Sequence, residues 1–178
     1  MRKAAEAGGL PRGFAALLAP VLLLWALAFA TLAQEGDWRV KASAPTERTE
    51  VAVAALEGKI YVMGGFRRFW VTSLVEAYDP AADRWSEKAP LPTPRSGIAA
   101  SVLNGVIHVF GGESPEGTFD TVEAYHPARD SWRTLAPMPT SRHGLGAAAV
   151  EGKIFVLSGG PEPGGSFSAV NEVFTPPR

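Results

Sequence analysis

The sequence predicts an all-β fold assembled from a four-stranded unit that the chain encodes about three times. A block of about 47 residues recurs, and three kinds of marker keep its period: an arginine, a glycine pair after an apolar run, and a tryptophan. The markers are Arg48, Arg95 and Arg142; Gly64-Gly65, Gly111-Gly112 and Gly159-Gly160; and Trp38, Trp85 and Trp132. Such a period is typical of architectures in which each copy is one supersecondary unit that buries its apolar face against the next.

The first copy contains four short strands in the order of a meander. Two apolar runs joined by Glu57-Gly58-Lys59 predict a hairpin, and each run is continuously apolar, as expected of a strand buried on both faces. A third strand follows a longer loop, and the turn at 79–83 leads to a more polar outer strand. The predicted elements are strands 51–56, 60–63, 75–78 and 85–88, the loop 66–73, and a stiff proline-rich crossing at 90–94.

The second copy repeats every element, and the third repeats three of its four strands. The copies cover about 48–94, 95–141 and 142–178, within a repeat domain at 34–178. The third copy ends before an outer strand, whereas residues 37–40 form an outer-strand pattern with no copy in front of them. Counting this strand, we expect twelve strands, or three full four-stranded units.

Residues 1–33 lie outside the repeat and have the pattern of a targeting segment. Basic residues at the start precede a run of 20 uncharged residues at 14–33. This predicts a secretory signal, with cleavage after Ala30 or Ala33, or an uncleaved helical anchor long enough to cross a bilayer. In both cases we expect the repeats to be exported. The protein would be secreted or periplasmic if the segment is cleaved, and anchored in the membrane through residues 14–33 if it is retained.

Composition excludes several functional classes. The 17 basic and 18 acidic residues are mixed along the chain and give a formal charge of −1. The one-sided positive field that suits nucleic-acid phosphates is missing, so we expect no nucleic-acid binding. The sequence has no cysteine, which excludes disulfides, thiolate metal sites and cysteine nucleophiles. The 19 glycines and 15 prolines suit many short strands joined by tight turns.

The repeated motifs resemble those of the kelch family. They are the glycine pair after the second strand, Tyr78-Asp79-Pro80 after the third, Trp85 in the fourth, and the proline pattern of 137–142 that ends in an arginine. The resemblance covers about 140 residues and implies kelch-type β-propeller blades, here three of them, which is a half or partial propeller. Two motifs depart from the pattern in the third copy, where Ser158 precedes the glycine pair and Phe174-Thr175-Pro176 replaces Tyr-Asp-Pro.

Charges that recur once per blade have two interpretations. Arg95 and Arg142, with the adjacent His143, lead into first strands, and a glutamate recurs at the start of each third strand. The simpler interpretation is that these charges form ion pairs between blades and anchor loops. The kelch resemblance implies an alternative, because arginines at this position of kelch binding domains surround the pocket mouth and hold acidic ligands through bidentate hydrogen bonds.

The loop at 66–73 is the segment least like its counterparts in the other copies. It contains Arg67, Arg68, Phe69 and Trp70, whereas the equivalent loop at 113–121 is acidic and that at 161–169 is small and neutral. Arginine and large aromatic residues are common anchors of binding interfaces, so Arg67, Arg68 and Trp70 are candidate ligand contacts. Alternatively, the two aromatic side chains only cover the edge of the blade.

Nothing in the sequence indicates a catalytic centre, a metal site or a cofactor. The three histidines, His108, His126 and His143, lack metal-ligand spacing and a cluster of carboxylates. The glycine pairs lack the Lys-Ser/Thr that follows a phosphate-binding loop. A galactose-oxidase-like copper centre would need a cysteine, which the chain lacks.

These observations favour an exported, non-catalytic module that binds a protein or a glycan through loops on one propeller face. The alternatives are a carbohydrate-active enzyme similar to the sialic-acid mutarotases, which share the layout of a signal followed by kelch repeats, and a truncated propeller without independent activity. Two chains could also close a six-bladed ring as a homodimer, with the Trp38 strand of each chain completing the last blade of the other.

Overall fold

The computed structural model describes residues 36–177, and this part of the chain contains fifteen β-strands. The predicted signal or anchor at 1–33 lies outside the described residues. In the described part, no helix is long and apolar enough to cross a membrane. The chain divides into two units, Met1–Val40 and Lys41–Arg178, and the strands all belong to the second.

The first sheet confirms the predicted four-stranded meander. Its strands are β1 (Ala52–Leu56), β2 (Lys59–Met63), β5 (Val75–Asp79) and β6 (Arg84–Lys88), which are antiparallel and adjacent in that order. The burial of β1 alternates, because one face packs on the second sheet and the other does not. In contrast, Val75, Glu76, Ala77 and Tyr78 of β5 are all buried, because one face packs on the second sheet and Arg48 covers Glu76 on the other.

The second and third sheets follow the same plan. The second contains β7 (Ala99–Leu103), β8 (Val106–Phe110), β11 (Val122–His126) and β12 (Ser131–Thr134), with a single 3₁₀ turn at Pro127–Arg129 before β12. The third contains β13 (Gly146–Val150), β14 (Lys153–Leu157) and β15 (Asn171–Phe174). The inner strands β1, β7 and β13 lie side by side, so the three sheets stack as successive blades.

The hydrophobic core lies between successive blades. Met63 and Val75 of the first blade pack against Ile107 and Val109 of the second, and all four side chains are fully buried. A second cluster joins the second and third blades around Phe110 and further apolar side chains. Removal of this apolar surface from water is the main force that holds one blade on the next.

The glycine pairs are required because other segments approach their backbone closely, both the leading segment of the same blade and that of the next blade. Gly112 has a φ of 111°, and a Cβ atom there would lie 2.4 Å from Ile98 and 2.6 Å from the Ser96 carbonyl oxygen. Its amide donates a hydrogen bond to the Arg142 carbonyl in the following repeat, and Gly65 donates equivalently to Arg95. A side chain at Gly112 would therefore clash with these atoms, and the positive φ would be strained for any residue other than glycine.

The structure corrects the sequence-based expectations at three places. Residues 37–40 form no strand, and the Trp38 side chain is 97% exposed. The third sheet accordingly has three strands among residues 36–177, so three full four-stranded units are not formed within the described chain. Finally, the connections predicted as loops contain short hairpins in the first two blades: β3 (Phe66–Arg67) with β4 (Trp70–Val71), and β9 (Glu113–Ser114) with β10 (Gly117–Thr118).

Candidate functional site

The repeated arginines form buried ion pairs within their own blades. A terminal guanidinium nitrogen of Arg95 lies 2.5 Å from a carboxylate oxygen of Glu123, and the two side chains are 0% and 1% exposed. Its Nε–H also donates to the Gly111 carbonyl, and Thr93 donates its hydroxyl proton to Glu123. Burial lowers the pKa of the Arg95 guanidinium, although Glu123 opposes that shift.

The other two blades contain the same arrangement. Arg48 pairs with Glu76 at 2.5 Å, and Arg142 pairs with Glu172 at 2.6 Å. Each arginine also donates to a backbone carbonyl at the turn after the second strand, that of Gly64 or Ser158 in these blades. The pairs thus connect elements of one blade, which corrects the expectation of ion pairs between blades.

The position of Arg95 and Arg142 supports the interpretation that these arginines stabilise the fold and anchor loops. Both side chains are fully buried, and each guanidinium group donates to a carboxylate and to backbone carbonyls, while Nη2 of Arg95 is buried without a hydrogen-bond partner among the described residues. They lie beneath the loops rather than at an open pocket mouth. Their role as ligand-binding residues stays a prediction, without an accessible donor in this structure to support it.

The loops that connect second and third strands form one face of the stack, which we call the loop face. In every blade, a bridge joins this connection to the segment that leads into the first strand: Thr49 with Phe66, Ser96 with Glu113, and His143 with Gly160. Backbone hydrogen bonds from Gly97 to Glu50 and from Gly144 to Gly97 link the leading segments of neighbouring blades. The scaffold of the loop face is therefore fixed by main-chain contacts.

The β3–β4 hairpin is the most exposed feature of the loop face. Phe69 and Trp70 are 81% and 71% exposed, which does not fit the alternative that they cover the blade edge. Arg67 and Arg68 are also exposed, and neither has an ion-pair partner among residues 36–177. Arg68 has a φ of 55°, in the left-handed region that non-glycine residues seldom occupy. The hairpin thus presents two arginines without an ion-pair partner among the described residues, beside two exposed aromatic rings.

Two clefts lie on either side of Phe66. The larger, of about 540 Å³, is lined by residues 45–49 and by Phe66, Arg67 and Arg68. The smaller, of about 280 Å³, lies between the first and second blades and is lined in part by Phe66, Val71, Glu113 and Pro115. Because both are open grooves that share one aromatic wall, they suit an extended chain better than a small enclosed ligand.

His143 connects the loops of the second and third blades. Its Nδ1 lies 3.3 Å from a Glu113 carboxylate oxygen, and its Nε2 lies 3.0 Å from the Glu162 carbonyl oxygen. The second Glu113 oxygen accepts a hydrogen bond from the Gly164 amide. The sequence predicts His143 as a candidate ligand contact. In the structure its two ring nitrogens contact Glu113 and Glu162, which belong to two different loops. Its role in ligand binding stays a prediction.

A third, smaller pocket lies beside His108 and His126. It measures about 90 Å³ and is lined by His108, His126, Arg133 and mainly apolar residues, without a carboxylate. Burial lowers the pKa of His108 and so favours its neutral imidazole. Within the described residues, no group of three or more metal-ligating side chains lies close enough together to hold an ion.

Sequence comparison agrees with the repeated geometry. Residues 22–160, well over half of the chain, match the KLHDC2/KLHL20/DRC7 Kelch-repeats domain. No curated protein matches the chain.

Proposed function

The chain belongs to the kelch-repeat family, and from this premise we propose that its loop face binds an extended, acidic segment of another protein. A kelch repeat domain suggests a protein-binding module. The observation that carries the finer proposal is the exposed hairpin with Arg67, Arg68, Phe69 and Trp70.

Charge and apolar surface on the hairpin define the chemistry of the ligand. Unpaired guanidinium groups bind carboxylates through charge-assisted, bidentate hydrogen bonds. Exposed aromatic rings gain from burial against an apolar side chain, and Trp and Arg are common among residues that dominate binding energy. We therefore expect a segment that combines acidic residues with at least one large apolar residue.

The grooves define its conformation. The cleft beside residues 45–49 and the cleft between the first two blades meet at Phe66, so a chain that follows both would cross the hairpin. The loop face is held by main-chain bridges in all three blades. A rigid surface of this kind orders few of its own groups on binding, which reduces the entropic cost of association.

Selection from a random peptide display library tests the proposal. The full-length protein should enrich peptides with acidic and aromatic or aliphatic residues. The variant Arg67→Glu/Arg68→Glu should lose them and enrich basic peptides instead, and Trp70→Ala should weaken binding about tenfold or more. Enrichment without charge preference, or the same peptides in the charge-reversed variant, would contradict the proposed site.

Arg129→Glu provides a matched control. Arg129 is exposed in the turn between β11 and β12, at the opposite end of the strands from the loop face. Its reversal makes the same charge change per residue and should leave peptide selection unchanged. An equal loss in this variant would indicate a general charge effect rather than recognition by the hairpin.

A glycan ligand and sialic-acid mutarotation are the competing functions. The open, aromatic-walled clefts would also accommodate a sugar, and a glycan array separates this ligand from peptides. Mutarotation needs a general acid or base beside the sugar, and NMR of anomeric exchange measures it directly. Exchange above the uncatalysed rate, lost on substitution within the loop face, would replace the binding proposal with an enzymatic one.

We also propose that the domain acts outside the cytoplasm. The support is the sequence of residues 1–33, with its basic start and uncharged run. Fusion of these residues to a reporter that is active only after export should give activity, and replacing Leu22, Leu23 and Leu24 with arginine should abolish it. N-terminal sequencing of the exported product then distinguishes a cleaved signal from a retained anchor.

A further inference from the structure

The first and third blades each have an apolar face without a neighbour among the described residues. Val53 on the first blade is 55% exposed, and Val150, Leu157 and Val173 on the third are 52%, 39% and 54% exposed. Between the blades, residues at equivalent positions are buried or partly buried. Soluble proteins seldom leave contiguous apolar surface of this kind uncovered.

The internal repeat shows that the two open faces correspond to the two surfaces that pack together between successive blades. Val62 on the open face of the first blade is equivalent to Val109, which packs fully buried on that same blade. Leu157 on the open face of the third blade is equivalent to Met63, which packs fully buried on the second. A first blade would therefore meet a third blade through the same contacts that join the first blade to the second.

The edge of the third sheet lacks the aromatic pair that completes the other two. The rings of Tyr78 and Trp85 lie 5.0 Å apart, as do those of Tyr125 and Trp132. In the third sheet, Phe174 takes the place of the tyrosine, and no described tryptophan lies opposite it. Trp38 has the repeat spacing of the missing tryptophan and is 97% exposed.

The segment that follows Trp38 forms the same hydrogen bonds as a segment that follows the outer strand of a preceding blade. Trp132 donates its indole N–H to the Ala89 carbonyl at 2.8 Å, directly after outer strand β6. Trp85 donates to the Ala42 carbonyl at the same distance, and Asp83 accepts from the Ala42 amide. Ala42 follows Trp38 by four positions, just as Ala89 follows Trp85 of β6.

We propose that a second copy of this chain covers both open faces, so that two chains close a ring of six blades. The open face of each first blade packs on the third blade of the partner. Residues 37–40 of each chain then add to β15 of the other as an antiparallel outer strand. The register follows from Tyr125 opposite Trp132 in the second sheet: Trp38 lies opposite Phe174, and Arg39 opposite Val173. Two identical head-to-tail contacts close a ring when successive blades are rotated by about 60°, and the assembly then stops at two chains without an open face.

One residue at the proposed interface, Ser158, departs from the repeat, in which the other two blades have glycine. A Cβ atom at Gly64 would lie 2.7 Å from the Arg95 carbonyl and 2.8 Å from Ile98 of the next blade. Ser158 takes that place in the third blade, with the same left-handed φ of 58°. The partner presents Val51 where the second blade has Ile98, and this removes one of the two obstructions. The remaining contact with the Arg48 carbonyl weakens association, so Ser158→Gly should strengthen the dimer at least tenfold.

Engineered disulfides test the register directly, because the natural chain has no cysteine. The full-length variant Arg39→Cys/Val173→Cys should oxidise to a covalent dimer with two intermolecular disulfides. The matched control Arg39→Cys/Asn171→Cys shifts one cysteine by two residues, beyond the Cα separation that a disulfide spans, and should remain reduced. A disulfide within one chain, a ladder of higher oligomers, or equal reaction of both variants would overturn the proposal.

Light scattering of the full-length protein at micromolar concentration gives an independent readout. The natural chain should have the mass of a dimer, and Val53→Asp should have that of a monomer while its circular dichroism stays unchanged, because Val53 is uncovered in the single chain. Ala81→Asp, in an exposed turn, is the control and should remain dimeric. A natural chain that stays monomeric, or a Val53→Asp variant that stays dimeric, would overturn the proposal. Neither result bears on peptide binding at the loop face.

Discussion

Replacing Glu123 with glutamine should cost more stability than any other single carboxylate-to-amide change in the described chain. Glu123→Gln preserves the side-chain shape but removes the charge that compensates Arg95, and both side chains are at most 1% exposed. Breaking a buried pair by neutralising one partner typically costs about 3–5 kcal/mol, because the other charge stays desolvated. This is a large part of the total stability of a domain of this size.

The matched control is the same change in the third blade. Glu172 is 17% exposed, so water can partly solvate the Arg142 guanidinium after Glu172→Gln, and we expect a loss of about 1–3 kcal/mol. Urea unfolding followed by tryptophan fluorescence measures both values, provided that the m-value is unchanged. A double-mutant cycle with Arg95→Met should give a coupling of about 1–3 kcal/mol. Equal losses in the two blades, or no coupling, would refute the argument from burial.

Four further substitutions test other parts of the structure. Gly112→Ala should lower the free energy of unfolding by about 1–3 kcal/mol more than Gly105→Ala in a urea titration, because only the first Cβ meets a neighbour. Trp132→Phe, which removes an indole hydrogen bond, should cost about 1 kcal/mol in the same assay. The tyrosine hydroxyl that donates to Asp130 lowers the pKa of this carboxyl, so its stabilisation is complete above about pH 4 and is lost as the pH falls through the folded-state pKa. Asp130→Asn should therefore be less stable at pH 7 but lose less stability on acidification than the natural protein. Arg68→Gly should raise the melting temperature, because it relieves left-handed strain, while it weakens binding to any acidic peptide selected by the natural protein.

The strands could be predicted because each signal in the sequence has a local cause. Turn residues such as Glu57-Gly58 and Asn104-Gly105 adopt positive φ and fix the hairpins, and the apolar runs between them become the inner strands. Predicted and observed boundaries in the first blade agree within about one residue. Three copies of one pattern also support each other, since an element found in one copy is expected in the rest.

The remaining features depend on contacts that a single repeat does not specify. The β3–β4 hairpin consists of two residue pairs, too few for an alternating pattern. The pairing of Arg95 with Glu123 inside one blade depends on how the leading segment folds over the third strand, and sequence spacing alone allows a partner in the neighbouring blade. Residues 37–40 have the pattern of an outer strand, but forming one requires a sheet edge, which the sequence does not locate.

The difference between repeated and unrepeated arginines follows from what each blade needs. Every blade turns sharply after its second strand and leaves a carbonyl there that must be satisfied away from water. An arginine donates to this carbonyl in all three blades and carries its own compensating glutamate, so the fold itself requires these charges. Arg67 and Arg68 meet no such need, because the equivalent loop of the second blade forms its hairpin with Ser114 and Pro115. A charge that the fold does not use, on the most exposed hairpin of the loop face, is free to bind a partner.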